Sequence, residues 1–359
     1  MAPPGPILIL GAGVIGAAIA QALARRGAAV TLVDRLGVAP AASGKAGGFL
    51  ALDWNDATAL GPLARRSFAL HRRLADELPT DYGFRPVDTL MAVGADPEAA
   101  QVGPGPDNPD WLDGGVAVQG ALGSHATTAQ VHPRRFTEAL VADAQAHGAR
   151  LRVGRVDGLE RDGPEGAVRG ALVDGAPVEA GTVVAALGPW TPALGLALPR
   201  VHGLKGSSIT LRAEVPAQVV FSEFVTRDGR RFSPEIYPRG DGEVYLCGVP
   251  SDDALPESPD RVAVDSGDCE LLREMAAGHS RRLAAAPVVS RQACFRPVTR
   301  DGLPLIGPVP GAPGALVATG HGPWGILSAP ATGEMVAEMI LDGETTLDAT
   351  PFAPDRRSA

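Results

Sequence analysis

The segment 6–34 leaves this chain little choice of fold. Ile7 to Leu10 form a short apolar strand, and Gly11-Ala12-Gly13-Val14-Ile15-Gly16 turns the chain into a helix. On that helix Ile15, Ile19 and Leu23 recur at helical spacing, Gly27 stops it, and Ala29 to Val33 is a second strand. In a strand–turn–helix context the three glycines have separate tasks. The first permits a tight turn, the second lets backbone approach a pyrophosphate, and the third lets the helix pack on the sheet. The helix start then offers unpaired N–H groups and partial positive charge to phosphates. Asp34 closes the second strand, where a carboxylate can accept hydrogen bonds from a ribose and disfavours a 2′-phosphate. The pattern predicts an α/β, Rossmann-like nucleotide-binding unit, with Gly11, Gly13, Val14, Ile15, Gly16 and Asp34 at the ligand and Arg35 beside them.

The 359 residues suffice for more than this unit. Leu63, Phe68, Leu70 and Leu74 predict a surface helix over 60–78, and Pro133 to His147 an amphipathic one. Residues 95–124, rich in Gly and Pro, read as loop. Val183 to Ala186 is a buried strand. From 201 to 292 the texture changes to alternating strands, which predicts a second domain built on an antiparallel sheet. Ala315 to Thr319 is a last strand, leading through a glycine loop into a helix from Ala331 to Leu341.

A net charge of −9, with no basic run longer than two arginines, disfavours a nucleic-acid surface. Cys247, Cys269 and Cys294 are odd in number and far apart, which argues for a reducing compartment and against a disulfide framework or zinc site. No basic leader and no apolar run of membrane-spanning length is present, so the expectation is a soluble cytoplasmic protein without a membrane partner.

Five further segments carry a resemblance. They are Ala42-Ser43-Gly44-Lys45-Ala46-Gly47-Gly48-Phe49-Leu50, then Val131-His132-Pro133 with Val156 beyond it, and Val184-Ala185-Ala186-Leu187-Gly188-Pro189-Trp190. Arg296-Pro297-Val298-Thr299-Arg300-Asp301-Gly302-Leu303-Pro304-Leu305-Ile306-Gly307 follows, and then Gly320-His321-Gly322-Pro323-Trp324-Gly325-Ile326-Leu327. In order and spacing the chain resembles the glycine oxidase/D-amino-acid oxidase family of FAD-dependent oxidoreductases, with sarcosine-oxidase-like relatives. The resemblance implies FAD as cofactor. It also implies a discontinuous FAD-binding domain (1–80, 130–200 and 295–359) with a parallel sheet flanked by helices. A mixed, mostly antiparallel substrate domain (81–129 and 201–294) would cover the flavin. Ala42, Ser43, Gly47, Gly48 and Phe49 would lie in the loop beneath the flavin, Val156 on the adenine side, and Gly188 and Trp190 near the cofactor. Lys45 of that loop either steadies the pyrophosphate or the reduced ring or is a solvated lysine. Gly320, His321, Gly322, Pro323, Trp324, Gly325 and Ile326 would form a closing loop, and the helix after Gly333 would aim its N-terminus at the flavin pyrimidine edge.

By the same resemblance Arg296 pairs with a substrate carboxylate, a task suited to a bidentate guanidinium. The implied reaction is oxidation of a C–N bond of an amine or amino acid by hydride transfer to flavin N5, the electrons passing on to oxygen or a carrier. Oxidation of a 2-hydroxy acid, a module for tRNA modification, and a flavoprotein without turnover serving assembly or sorting are the alternatives. Glu235 and Tyr237 align with positions lining the family pocket; Glu235 could meet a substrate amine or face solvent. Trp54 either walls the pocket or packs in the core. Cys294 either carries the flavin covalently, as a cysteine does in sarcosine-oxidase-type relatives, or packs as a small hydrophobe. Where glycine oxidases have a second arginine in the closing loop, this chain has Pro323-Trp324. Where sarcosine oxidases carry an oxygen-activating lysine, the segment Glu243 to Cys247 has none.

Overall fold

The computed structural model describes residues 5–96, 98–99, 103–163 and 166–356. A six-stranded sheet runs in the order Leu305–Pro308, Ala315–Thr319, Thr182–Ala185, Ile7–Leu10, Val30–Asp34, Arg150–Val153. Its neighbours pair in parallel except the first two, which are antiparallel. Ile7, Leu8, Ile9 and Leu10 are all buried, as a strand covered on both faces requires. The helix Val14–Arg25 packs on one face, together with Pro133–Ala146 and Gly325–Leu341. Close approach of the first and last of these depends on Gly333, where a Cβ would stand 2.5 Å from the Ala18 carbonyl oxygen.

The second sheet has eight strands. Seven follow the order Val288–Thr299, Val201–Arg212, Glu243–Ser251, Glu235–Pro238, Gln218–Val225, Asp88–Ala95, Val116–Gly123, and Arg231–Phe232 pairs beside Gln218–Val225. All pairings are antiparallel except Asp88–Ala95 with Gln218–Val225. One face of this sheet packs on the helix Ser266–His279, burying Ile209, Leu246, Leu272 and Met275. The first sheet draws on segments 7–34, 150–153, 182–185 and 305–319, the second on 88–123 and 201–299. The strand Val288–Thr299 crosses the 294/295 boundary set above.

Three local expectations change. Part of the expected loop 95–124 is an edge strand, Val116–Gly123, held by pairing with Asp88–Ala95; residues 97 and 100–102 of that loop lie outside the described ones. The stretch read as all strands contains the helix Ser266–His279, capped by the Asp265 side chain accepting from Asp268 N–H. The last helix begins at Gly325, not near Ala331, and Pro330 lies inside it. Among the described residues no helix is long and apolar enough to cross a membrane.

Asp301, within the Arg296–Gly307 segment, fastens the C-terminal region. Arg356 grips both its carboxylate oxygens, at 2.8 and 3.0 Å, and also donates to the Leu303 and Pro304 carbonyls. These hydrogen bonds hold the Asp301 carboxyl down to about 2. A depressed acid stabilises the fold above its ordinary range and loses that contribution as pH falls through its folded value. Arg356→Ala is therefore expected to cost roughly 1–3 kcal/mol at neutral pH. In urea melts the gap from the wild type should narrow as pH drops from about 4 towards 2; a gap independent of pH would dismiss the ion pair as its source.

Candidate active site

The carboxyl ends of the parallel strands Ile7–Leu10, Val30–Asp34, Thr182–Ala185 and Ala315–Thr319 open onto one cavity of about 460 Å³. Ligand crevices of open α/β sheets form at such ends. Gly11 turns the chain here with φ +108°, and a Cβ on it would sit 2.4 Å from the Ala186 carbonyl oxygen. The glycine turn is thus wedged against the end of the neighbouring strand. Ser43 Oγ accepts from Val14 N–H at 2.9 Å, at the first turn of the helix. Asp34 accepts from Ala12 N–H and Leu36 N–H, each at 2.9 Å, and burial raises its pKa.

Of the sequence-predicted residues, all line this cavity except Gly16, Lys45 and Gly320. Gly16 lies beneath the turn, where a Cβ would stand 1.9 Å from Gly11 O. Lys45 donates to the Ala293 carbonyl at 3.0 Å, and burial lowers its pKa. Gly320 packs against Thr299 with φ +78°. His321 is buried, with Nε2 3.1 Å from Thr332 Oγ1 and Nδ1 without a partner. Burial drops its pKa to about 3, so the imidazole is neutral.

The second sheet supplies the opposite wall. Glu235 pairs with Phe221 on one side and Cys247 on the other, and Tyr237 pairs with Tyr245, so these side chains share the cavity face. The Tyr237 hydroxyl donates to Glu235 Oε2; burial, then that charge, pushes the phenol well above its ordinary value. Arg296 is half-buried and borders the same space. It has no ion-pair or hydrogen-bond partner among the described residues, unlike Arg25, Arg26, Arg65 and Arg66. Its Nη2 lies 3.6 Å from where a Cβ on Gly206 would stand, so the guanidinium extends over bare backbone. Cys294 also lines the cavity, and burial raises its thiol despite Lys45 and Arg296 nearby.

Aromatic residues are only 4% of the chain, yet they gather here. Trp54 lies 5.0 Å from both Phe49 and Phe221 and 6.2 Å from Trp324, ring centre to ring centre. Trp54 therefore belongs to the cavity wall. Sequence reasoning passed over Phe221, Tyr245, Cys247 and Asp157, all of which line the cavity. The alternation in Glu243-Val244-Tyr245-Leu246-Cys247 marks one face for Tyr245 and Cys247; nothing local marks the others.

A nucleotide crevice joined to an aromatic-walled chamber defines the class as a cofactor-dependent enzyme. The chain matches the family model described as FAD dependent oxidoreductase over residues 6–339, and it belongs to that family. It is 33% identical over 372 residues to a Schizosaccharomyces pombe protein named as an oxidoreductase, covering 95% of each chain. To the glycine oxidase of Geobacillus kaustophilus it is 30% identical over 380 residues, covering 98% of this chain and 96% of the relative. The crystal structure of glycine oxidase from Geobacillus kaustophilus superposes with a TM-score of 0.78 at 26% identity, covering 99% of both chains. The protein is an FAD-dependent oxidoreductase of the glycine oxidase type.

Proposed function

We propose that this enzyme oxidises a C–N bond of an amine or amino acid whose carboxylate is held by Arg296. The observation that carries the reading is the guanidinium itself: half-buried, aimed over Gly206 into the chamber, and matched by no acid of the described residues. A charge kept in that state at a cavity wall is satisfied by an anionic ligand.

The residues of the crevice fit the cofactor. The turn at Gly11 and Gly13 keeps side chains away from the helix start, where a pyrophosphate would sit. Asp34 retains acceptor capacity for a ribose beyond its two backbone donors. His321, whose buried Nδ1 has no partner, lines the same space and would stand beside the ring system. Bound FAD supplies the hydride acceptor.

The chain's own contribution is positioning. Arg296 fixes the carboxylate and so orients the Cα–H, while Phe49, Trp54, Phe221 and Trp324 exclude water around the rest of the molecule. His321, neutral and tied to Thr332, holds the closing loop without adding charge. The test is an anaerobic screen of amino acids, secondary amines and 2-hydroxy acids for bleaching of the flavin. Bleaching by amines, with ammonia or amine released on reoxidation, supports the reading; bleaching by 2-hydroxy acids alone overturns it.

The flavin is held without a covalent bond in this reading, because burial keeps the Cys294 thiol protonated and hence poorly nucleophilic. Acid precipitation is expected to leave the pellet white and the supernatant yellow. Colour that stays on the wild-type chain but not on Cys294→Ala would assign the attachment instead.

A further inference from the structure

We infer that Glu235 reads the nitrogen of the substrate, forming with Arg296 a seat for a zwitterion; this rests on the carboxylate role proposed above. The two charges stand on one face of the second sheet but do not touch. Cys247 pairs directly with Glu235 in the sheet, and the Arg296 guanidinium reaches back over Gly206 from two strands beyond Cys247. The small Cys247 side chain lies between them and feels both: the Glu235 charge pushes its thiol up and the Arg296 charge pulls it down, with burial the larger effect.

Glu235 is also half satisfied. Tyr237 Oη and Cys247 Sγ, the latter at 3.5 Å, both donate to Oε2. Oε1 has no hydrogen-bond partner among the described residues, although the side chain lines the cavity. A carboxylate accepts up to about four hydrogen bonds, and an ammonium carries only donors. An acid at the cavity wall that serves solely to hold Tyr237 has no need of a free oxygen. The Phe221 ring stands on the neighbouring strand, directly paired with Glu235. A ring face beside a carboxylate adds further attraction for a cation. A neutral hydroxyl in the same place would gain neither the full charge nor the ring, so Glu235 selects amino acids over 2-hydroxy acids.

The experiment uses the FAD-loaded enzyme and two acids that lack a Cα–H and therefore bind without being oxidised: 2-aminoisobutyrate and 2-hydroxyisobutyrate. Binding is read by calorimetry and by perturbation of the flavin absorption spectrum. The wild type should prefer the amino compound by at least about tenfold. Glu235→Gln, isosteric and uncharged, should weaken the amino compound by about tenfold to a hundredfold while shifting the hydroxy compound less than about threefold. Flavin content and Tm of the variant report whether it is folded; if it is not, the wild-type preference alone decides. Equal binding of the two acids by the wild type, or equal losses in the variant, overturns the role of Glu235 and leaves that of Arg296 standing. Binding of neither overturns both.

Discussion

Arg296→Ala should leave a protein that is still yellow but is reduced by carboxylate-bearing amines roughly a thousandfold more slowly. Truncating one partner of a desolvated charge pair costs about 2–5 kcal/mol. At about 1.4 kcal/mol per decade that spans some thirtyfold to several thousandfold in rate. Arg296 borders the chamber from the strand Val288–Thr299, away from the turn at Gly11, so FAD content should not change. Arg296→Lys should recover little, because an ammonium lacks the planar fork that grips two oxygens. Anaerobic stopped-flow reduction is the measurement. Kinetics equal to the wild type would remove Arg296 from the site.

The second large effect is expected at Gly16. A Cβ there would stand 1.9 Å from the Gly11 carbonyl oxygen, so Gly16→Val must lift the helix Val14–Arg25 off the turn that it supports. Overpacking of this kind costs about 1–3 kcal/mol or more, and here it also displaces the amides that would face the pyrophosphate. The variant should purify colourless, take up no added FAD, and melt several degrees below the wild type. Gly120→Ala is the control, since nothing lies within 4 Å of its added Cβ. A yellow Gly16→Val protein with an unchanged Tm would contradict the account of the turn.

What could be read from the chain alone follows the range of the interactions. The glycine turn is local: residues 7 to 34 contain the strand, the turn, the helix and the acid, and periodicity reveals all four. The start of the last helix was misplaced because its first turn, Gly325 to Ala329, is as rich in small residues as a loop. Val116–Gly123 went unread because an edge strand needs its partner Asp88–Ala95 to exist at all. The chamber's far wall is legible only in part. Glu235, Cys247, Gly206 and Arg296 come together through the register of four strands, shifted by a bulge between Ser207 and Ser208. Spacing in the sequence does not encode that register. Lys45 lies within the 42–50 segment, but its side chain donates to the Ala293 carbonyl, a partner far along the chain that spacing does not reveal.

The strand Val288–Thr299 has an implication for altering substrate preference. It bears Arg296, and its Val298 bridges to His321 in the closing loop, so one rod of backbone sets the position of both. Changes along it would disturb anchoring and flavin environment at once. Phe221 and Glu235 sit on other strands, which meet the 42–50 loop through side chains at Phe49 and Gly47, so pocket redesign there leaves the Val298–His321 bridge in place.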